Sequence, residues 1–172
     1  MTTPQQLTTA GLLRPYSYGR GYPTLNKTLT PSAGAASVLQ VPGSRMIRLT
    51  SVRGQFVASS GVANRGVFLA FRDADSNEYM RAPLPTAVTA SQTVDFCFSI
   101  GLGFAYTGGD GTQIAAVPDV LLERGHVARV SFTNAQSGDA LANMFWYYDE
   151  ILIGGDGYAP GRATADRPDV EP

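Results

Sequence analysis

An alternation of apolar and polar side chains recurs along most of this chain, and it restricts the fold to β structure. The alternation is clearest in TVDFCFSI, residues 93–100, where the apolar positions are Val94, Phe96, Phe98 and Ile100. Cys97 falls among the polar residues of the opposite face. Because successive side chains of a strand point to opposite faces of a sheet, this segment is predicted to form a strand that is buried on one side only.

The same pattern predicts further strands on both sides of this segment. The long ones cover residues 46–59, 66–73, 126–132 and 141–153, and the short ones cover 37–41, 78–82, 112–117 and 119–123. The inward side chains are expected to include Val67, Leu69, Phe71, Ala128, Val130 and Phe132. In the first long segment the alternation changes phase around Ser51–Gly54, which predicts a β-bulge or a bend. Residues 141–153 also fit a helical spacing, but their aromatic and β-branched side chains favour a strand.

Clusters of Gly, Asn and Asp separate these segments, as turns between strands require. Eight or nine short strands joined by such turns predict an all-β protein, an antiparallel β-sandwich with a jelly-roll-like arrangement. Both ends of the chain lack the alternation, so we expect an extended N-terminal arm over residues 1–35 and a flexible C-terminal tail over residues 154–172. The β-sandwich domain is then residues 36–153, and 172 residues suit one domain.

The charge content is low and nearly balanced. Only 16% of the residues are charged, against about 25% in ordinary soluble domains, and the net charge is −1. A dedicated nucleic-acid binder would need a basic face, so this balance argues against a specific nucleic-acid partner. A β protein with so much uncharged surface is typical of a chain whose surface is covered by protein partners.

Export and membrane signals are missing from the sequence. No apolar run approaches the roughly 18 residues of a membrane span, and the start MTTPQQLTTAG has neither the basic nor the apolar region of a signal peptide. We therefore expect synthesis in the cytoplasm, without a membrane partner. The single cysteine, Cys97, excludes an intramolecular disulfide and a cysteine-based zinc cluster.

Catalytic patterns are also missing, and no catalytic residue, metal site or cofactor is predicted. His126 is the only histidine, which excludes a multi-histidine metal site, and the sequence contains no G-x-S-x-G motif for the nucleophile of a serine triad. Cys97 lies in the middle of a strand, where a packed small side chain is the expected role. Asp149 and Glu150 are adjacent and point to opposite faces of a strand, the wrong geometry for a pair of glycosidase carboxylates. One of them is expected to need a partner such as an arginine.

Two loops resemble known ligand loops and then depart from them. DADSNE, residues 73–78, begins like an EF-hand, but Glu78 stands where the loop needs glycine and Leu84 where it needs glutamate. An Asx-rich turn is the better interpretation, with calcium binding left open. TGGDGT, residues 107–112, lacks the Lys-Ser/Thr of a phosphate loop and is interpreted as the tip of a flexible loop.

The arm contains an aromatic and cationic segment, RPYSYGRGYP, residues 14–23. Its tyrosines could stack on nucleic-acid bases, but repeated RGG units and a supporting basic face are both lacking. Tyrosine and arginine are also the residues enriched at protein interfaces. We therefore predict that this segment binds a protein partner through Arg14, Tyr16, Tyr18, Arg20 and Tyr22.

Residues 46–153 also carry a family resemblance. They include a strand ending in ANRGVFL, the entry TASQTV into an alternating strand, and the turn GDALAN before an aromatic strand. With these features the chain resembles the small β-sandwich virion structural proteins of tailed bacteriophages. The resemblance implies a non-enzymatic capsid decoration or head/neck accessory protein, assembled in the bacterial cytoplasm and located in the virion. It also implies a homo-oligomer, a trimer or a ring, that binds other virion proteins such as major capsid, portal, neck or tail subunits.

Two other functions remain open at this stage. The first is a receptor- or carbohydrate-binding module of a tail or fibre, in which Tyr106, Tyr147 or Trp146 would stack on sugar rings, although Trp146 fits the core better. The second is a glycan hydrolase, because two carboxylates are all that this chemistry requires.

Overall fold

A computed structural model describes residues 24–27, 34–43 and 45–152, with residues 24–27 and 152 described by their backbone alone. The strands are β1 (Thr24–Lys27), β2 (Ser37–Gln40), β3 (Arg45–Val57), β4 (Val67–Arg72), β5 (Glu78–Pro83), β6 (Thr93–Ile100), β7 (Tyr106–Thr107), β8 (Gln113–Val117), β9 (Leu121–Leu122), β10 (Val127–Phe132) and β11 (Ala140–Leu152). Helices are absent from these residues, so none is present there that could cross a membrane. The prediction of an all-β protein is confirmed.

The strands form two sheets. The larger has the order β1-β11-β3-β6-β8-β7, with β9 also paired to β3, and the smaller has the order β2-β10-β4-β5. Neighbouring strands are antiparallel except β6 and β8, which are parallel. The exception follows from the path of the chain. After β6 the chain forms β7 at the edge of the sheet, and it then returns as β8, which lies between β6 and β7. Sequence patterning predicted only antiparallel pairs, because alternation does not report strand direction.

The inner faces of the two sheets share one core. The rings of Phe56 on β3 and Phe132 on β10 lie 4.7 Å apart across the interface between the sheets. Trp146 on β11 is fully buried, and its Nε1 donates a hydrogen bond to Ser37 Oγ on β2 over 3.1 Å. All six predicted inward side chains on β4 and β10 are buried. Burial of each large apolar side chain contributes about 1.5–3 kcal/mol, so this shared core holds the sheets together.

The predicted change of phase in β3 is confirmed as a bulge. Leu49 is paired with Tyr148 of β11, and Ser51 is paired with Tyr147, so Thr50 is an extra residue on β3. The buried positions change from odd to even numbers across this point. A second bulge lies on β11 at Asn143, which has a φ of 50°. The preference for a strand over a helix in residues 141–153 is also confirmed.

The β structure begins earlier in the chain than the sequence indicated. Residues 24–27, within the segment predicted to be an unpaired arm, form β1 and pair with β11 from Thr24↔Tyr148 to Lys27↔Phe145. An edge strand can form by pairing with the backbone groups of its neighbour alone. It therefore needs no alternating side-chain pattern from which it could be predicted. Gly34 follows with a φ of +76°, and its N–H donates to the carbonyl of Asp139. The predicted tail, residues 154–172, lies outside the described residues.

Candidate functional site

The predicted partner-binding residues cannot be placed. Arg14, Tyr16, Tyr18, Arg20 and Tyr22 all lie outside the described residues. Their segment ends directly before β1, at the edge of the larger sheet. The structure therefore gives the position of Thr24, the residue that follows this segment.

The outer face of the larger sheet carries a row of side chains from five neighbouring strands. Residues that are partners across a ladder point to the same face, so the register itself assembles the row. From β11 to β7 it consists of Phe145, Arg53, Cys97, Ile114 and Tyr106. At the far side, β1 brings Lys27 into register with Phe145.

A second row lies two residues further along the same strands. It consists of Tyr147, Ser51, Ser99 and Ala116. We call the two rows together the outer stripe. Its nine side chains are exposed or half-buried, and Arg53 is the one charged residue among them. Asp95 on β6 lies beyond the first row and accepts a hydrogen bond from Gln55 Nε2 over 3.1 Å.

Arg53 is the centre of the outer stripe. Its guanidinium carbon lies 5.0 Å from the ring centroid of Phe145 and 5.3 Å from that of Tyr147. Cation–π attraction of this kind orients a guanidinium without using its N–H donors. Five other arginines in the described part of the chain form ion pairs, namely Arg45, Arg48, Arg65, Arg72 and Arg81. Arg53 has no ion pair or hydrogen bond with the described residues, so its donors are available to a partner.

Cys97 lies beside Arg53 in the first row and is half-buried. Burial raises the pKa of its thiol, and the nearby Arg53 opposes this effect only in part. The thiol is therefore protonated near neutral pH and packs as a small side chain, in agreement with the sequence prediction.

The outer stripe continues into an apolar loop at the β7 edge. Between β6 and β7 the chain exposes 40% of Leu102 and 70% of Phe104, and Tyr106 itself is 49% exposed. Large apolar side chains that cluster in water mark surfaces that bind partners. The loop and the stripe together form a continuous, nearly uncharged surface.

A polar cleft of about 440 Å³ opens at the end of the sheets, between the loop before β6 and the turn before β8. Three threonines and two glutamines line it, together with Asp95 and Asp110. Hydrogen bonds from the backbone and the hydroxyl of Thr112 lower the pKa of Asp110. Hydroxyls, amides and carboxylates of this kind bind polyols rather than apolar ligands.

The DADSN segment is an Asx turn, as predicted. Asp73 accepts hydrogen bonds from the backbone of Asp75 and from both the backbone and the side chain of Asn77. The bonds from Asn77 lower the pKa of Asp73. The carboxylate oxygens of Asp73 thus accept hydrogen bonds from within the turn. A search of the described residues for three or more metal-binding side chains in one place finds no such group.

The remaining candidates have structural roles. His126 is half-buried, and its ring centroid lies 5.8 Å from that of Tyr79. Glu150 pairs with Arg45, as expected for one member of the Asp149–Glu150 pair. Trp146 is in the core and cannot stack on a sugar, which leaves the exposed Tyr106 and the half-buried Tyr147 as the aromatics of the carbohydrate hypothesis.

Sequence reasoning missed a buried ion pair between Arg65 and Asp139. Asp139 accepts hydrogen bonds from Arg65 Nε at 3.0 Å, Gln136 N at 2.8 Å, and both Ser59 N and Ser59 Oγ at 2.8 Å. Burial alone would raise the pKa of Asp139, but these bonds outweigh it and lower the pKa to about 2. The sequence did contain a hint of this pair, because each residue is a charged residue just before an apolar strand, in NRGVFL and in GDALA.

Comparison of the chain with known protein families, with curated proteins and with solved structures finds no match. The described residues offer two candidate sites, the outer stripe and the polar cleft.

Proposed function

We propose that this chain is a non-enzymatic structural subunit of a tailed-bacteriophage virion, a capsid decoration or head/neck accessory protein. The observation that carries the proposal is the outer stripe, in which aromatic and small side chains surround one arginine without an acidic partner. A surface of this composition favours burial against another protein. Attachment through several modest contacts at once gives stable binding without a single strong pair.

The position of β1 supports the proposal. The interface-type residues of the arm directly precede β1, and β1 pairs with the same strand, β11, that carries Phe145 and Tyr147. An arm that starts at this edge extends the binding surface of the sheet. No cofactor is required, and specific nucleic-acid or membrane partners are not part of the proposal.

The proposal includes finer features. The two sheets form a jelly-roll-like β-sandwich, to which the parallel β6–β8 pair is a local addition. The chain is a homo-oligomer, a trimer or a ring, assembled in the bacterial cytoplasm and located in the virion with capsid, portal, neck or tail subunits.

Deletion of residues 1–23 tests the proposal while leaving β1 intact. We expect an unchanged circular dichroism spectrum and loss of the chain from purified particles, measured by quantitative mass spectrometry. The matched control removes residues 160–172 and should leave the copy number per particle normal. A chain without residues 1–23 that still enters particles at the normal copy number contradicts the proposal.

The polar cleft favours a second candidate function, binding of a glycan receptor. Its hydroxyls and carboxylates suit sugar hydroxyl groups, and the exposed Tyr106 could supply a stacking surface. A glycan array with the full chain is the test. Selective binding that is lost in Asp110→Ala and kept in Asp75→Ala would support this function, and binding no stronger than to blank spots would remove it.

A further inference from the structure

Among the nine side chains of the outer stripe, Arg53 is the only charged one, and it forms no ion pair with the residues that the structure describes. Arg53 is exposed, and its guanidinium carbon lies 5.0 Å and 5.3 Å from the ring centroids of Phe145 and Tyr147. A carboxylate placed there would form a charge-assisted, bidentate hydrogen bond with the guanidinium. The ligand of the stripe should therefore be a surface that carries a carboxylate without an ion pair.

The same chain presents such a surface elsewhere. The turn between β4 and β5 and the turn between β9 and β10 meet where Ala74 lies against Gly125, with Ala74 Cβ 3.0 Å from the place of a side-chain carbon on that glycine. Asp75 and Glu123 flank this contact. Both are exposed, and neither forms an ion pair with any residue that the structure describes. We call these two turns, which also contain the exposed Arg124 beside Glu123, the acidic corner.

We propose that the outer stripe of one copy binds the acidic corner of a second copy, with Arg53 bonded to Asp75 or Glu123. This inference rests on the proposed function and specifies the contact by which the subunit assembles. Packing of two stripes face to face would bring two Arg53 side chains together without an acid, which disfavours a two-fold dimer through this surface. A stripe-to-corner contact joins two different surfaces, and contacts of that kind build rings when the rotation closes.

Nucleic acid is a poorer occupant. Its binding depends on several cations that displace counterions, and the stripe offers Arg53 alone among its described side chains. The apolar loop with Leu102 and Phe104 beside it also suits a protein surface better than a phosphate backbone.

A charge exchange with the full chain tests the contact. We expect sedimentation velocity to show self-association of the wild type that weakens about tenfold or more in Arg53→Glu and in the double variant Asp75→Arg/Glu123→Arg. An equimolar mixture of these two proteins should associate again, because each new junction then joins opposite charges. The matched control is Arg129→Glu, which changes an arginine of the smaller sheet and should leave association unchanged. Circular dichroism of each variant checks that it is folded.

Cys97 provides a second measurement, since it is the only thiol of the chain and lies in the stripe beside Arg53. Its alkylation by iodoacetamide should slow as the concentration of the wild type rises and should not slow for Arg53→Glu. A wild type that stays monomeric with a constant alkylation rate overturns the inference. So does association that Arg53→Glu leaves unchanged, or a mixture that fails to associate. Normal incorporation of Arg53→Glu into particles would likewise overturn this inference, while the proposed function, tested by deletion of residues 1–23, would stand.

Discussion

The cluster around Glu78 on the smaller sheet and the cluster around Arg53 on the larger sheet differ in how their arginines are paired, while Arg48 of the larger sheet has an acidic partner, Asp119. On the smaller sheet, Glu78 forms two hydrogen bonds with Arg81 and lies 3.8 Å from Arg72. Arg81 in turn covers the ring of Phe68 at 4.0 Å. On the larger sheet, Arg53 is stacked between Phe145 and Tyr147 without an acid.

This difference teaches what each face is suited to contact. The cluster around Glu78 is complete in water, because its charges are paired within the chain, although Arg129 on the same sheet forms no ion pair with the described residues. A face that orients a cation and leaves its N–H donors unused is suited to bind an acceptor on another surface. Apolar content alone would not separate the two, since both faces contain aromatic rings.

The largest expected effect comes from removing one partner of the buried ion pair between Arg65 and Asp139. Asp139→Ala leaves the buried charge of Arg65 without its partner, which should cost about 3–5 kcal/mol of unfolding free energy. Urea denaturation followed by circular dichroism measures it. Asp75→Ala, an exposed carboxylate, is the control and should change little. A loss below 1 kcal/mol for Asp139→Ala would mean that the ion pair does not support the sheets.

Acid should lower the free energy of unfolding through protonation of Asp139. The pKa of Asp139 is about 2 in the folded chain against an ordinary value of 3.8, so its carboxylate stabilises the fold above about pH 4. This contribution, about 2 kcal/mol, is lost as the pH falls from 4 through 2. Thermal melts between pH 7 and pH 2 measure the loss. The variant Asp139→Asn should show a shallower acid dependence, and an identical dependence would refute the assignment.

Removing the counter-ion of the smaller sheet should sharpen the comparison. Glu78→Gln leaves Arg81 and Arg72 unpaired at a largely solvated site and should cost about 0.2–1 kcal/mol of stability. Self-association should not change, because Glu78, although it directly follows the turn that contains Asp75, is paired with Arg81 and Arg72 and is not one of the carboxylates proposed to bind Arg53. Urea titration and sedimentation velocity on the same protein measure the two quantities. Weaker self-association in Glu78→Gln would show that Glu78 takes part in the contact and would contradict the assignment of the contact to Asp75 and Glu123.

The smallest expected effect on stability comes from the larger sheet. Arg53→Gln removes an exposed cation–π contact and should change the unfolding free energy by less than about 0.5 kcal/mol. Its effect should appear in self-association, the reverse of the result for Glu78→Gln. A strong loss of stability would show that Arg53 supports the fold and is not held for a partner.

Local signals predicted the strands well. The bounds of β6 match the alternating segment, and the change of phase in β3 corresponds to the extra residue Thr50. These features were readable because each depends on neighbours within one strand. The short strands β1 and β7 have no such pattern and depend on the backbone of β11 and β8.

The candidate site could not be predicted in the same way. Arg53, Cys97 and Tyr106 meet in one row only through the register of strands that are far apart in sequence. The pair of Arg65 and Asp139 likewise spans 74 residues. Nothing near either residue specifies its partner, because long-range pairing is decided by packing of the whole core. The sequence predicted a binding segment in residues 14–23, which lie outside the described residues and stay a prediction, and it did not reveal the outer stripe.

The larger sheet ends at β1 with four residues and at β7 with two. Edges this short offer few free backbone groups to a strand from another molecule, so they are poor templates for the unlimited growth that leads to fibrils. In the assembly that we propose, copies of the chain join through side chains on a face, and the short edges keep that assembly from competing with unlimited growth through backbone pairing.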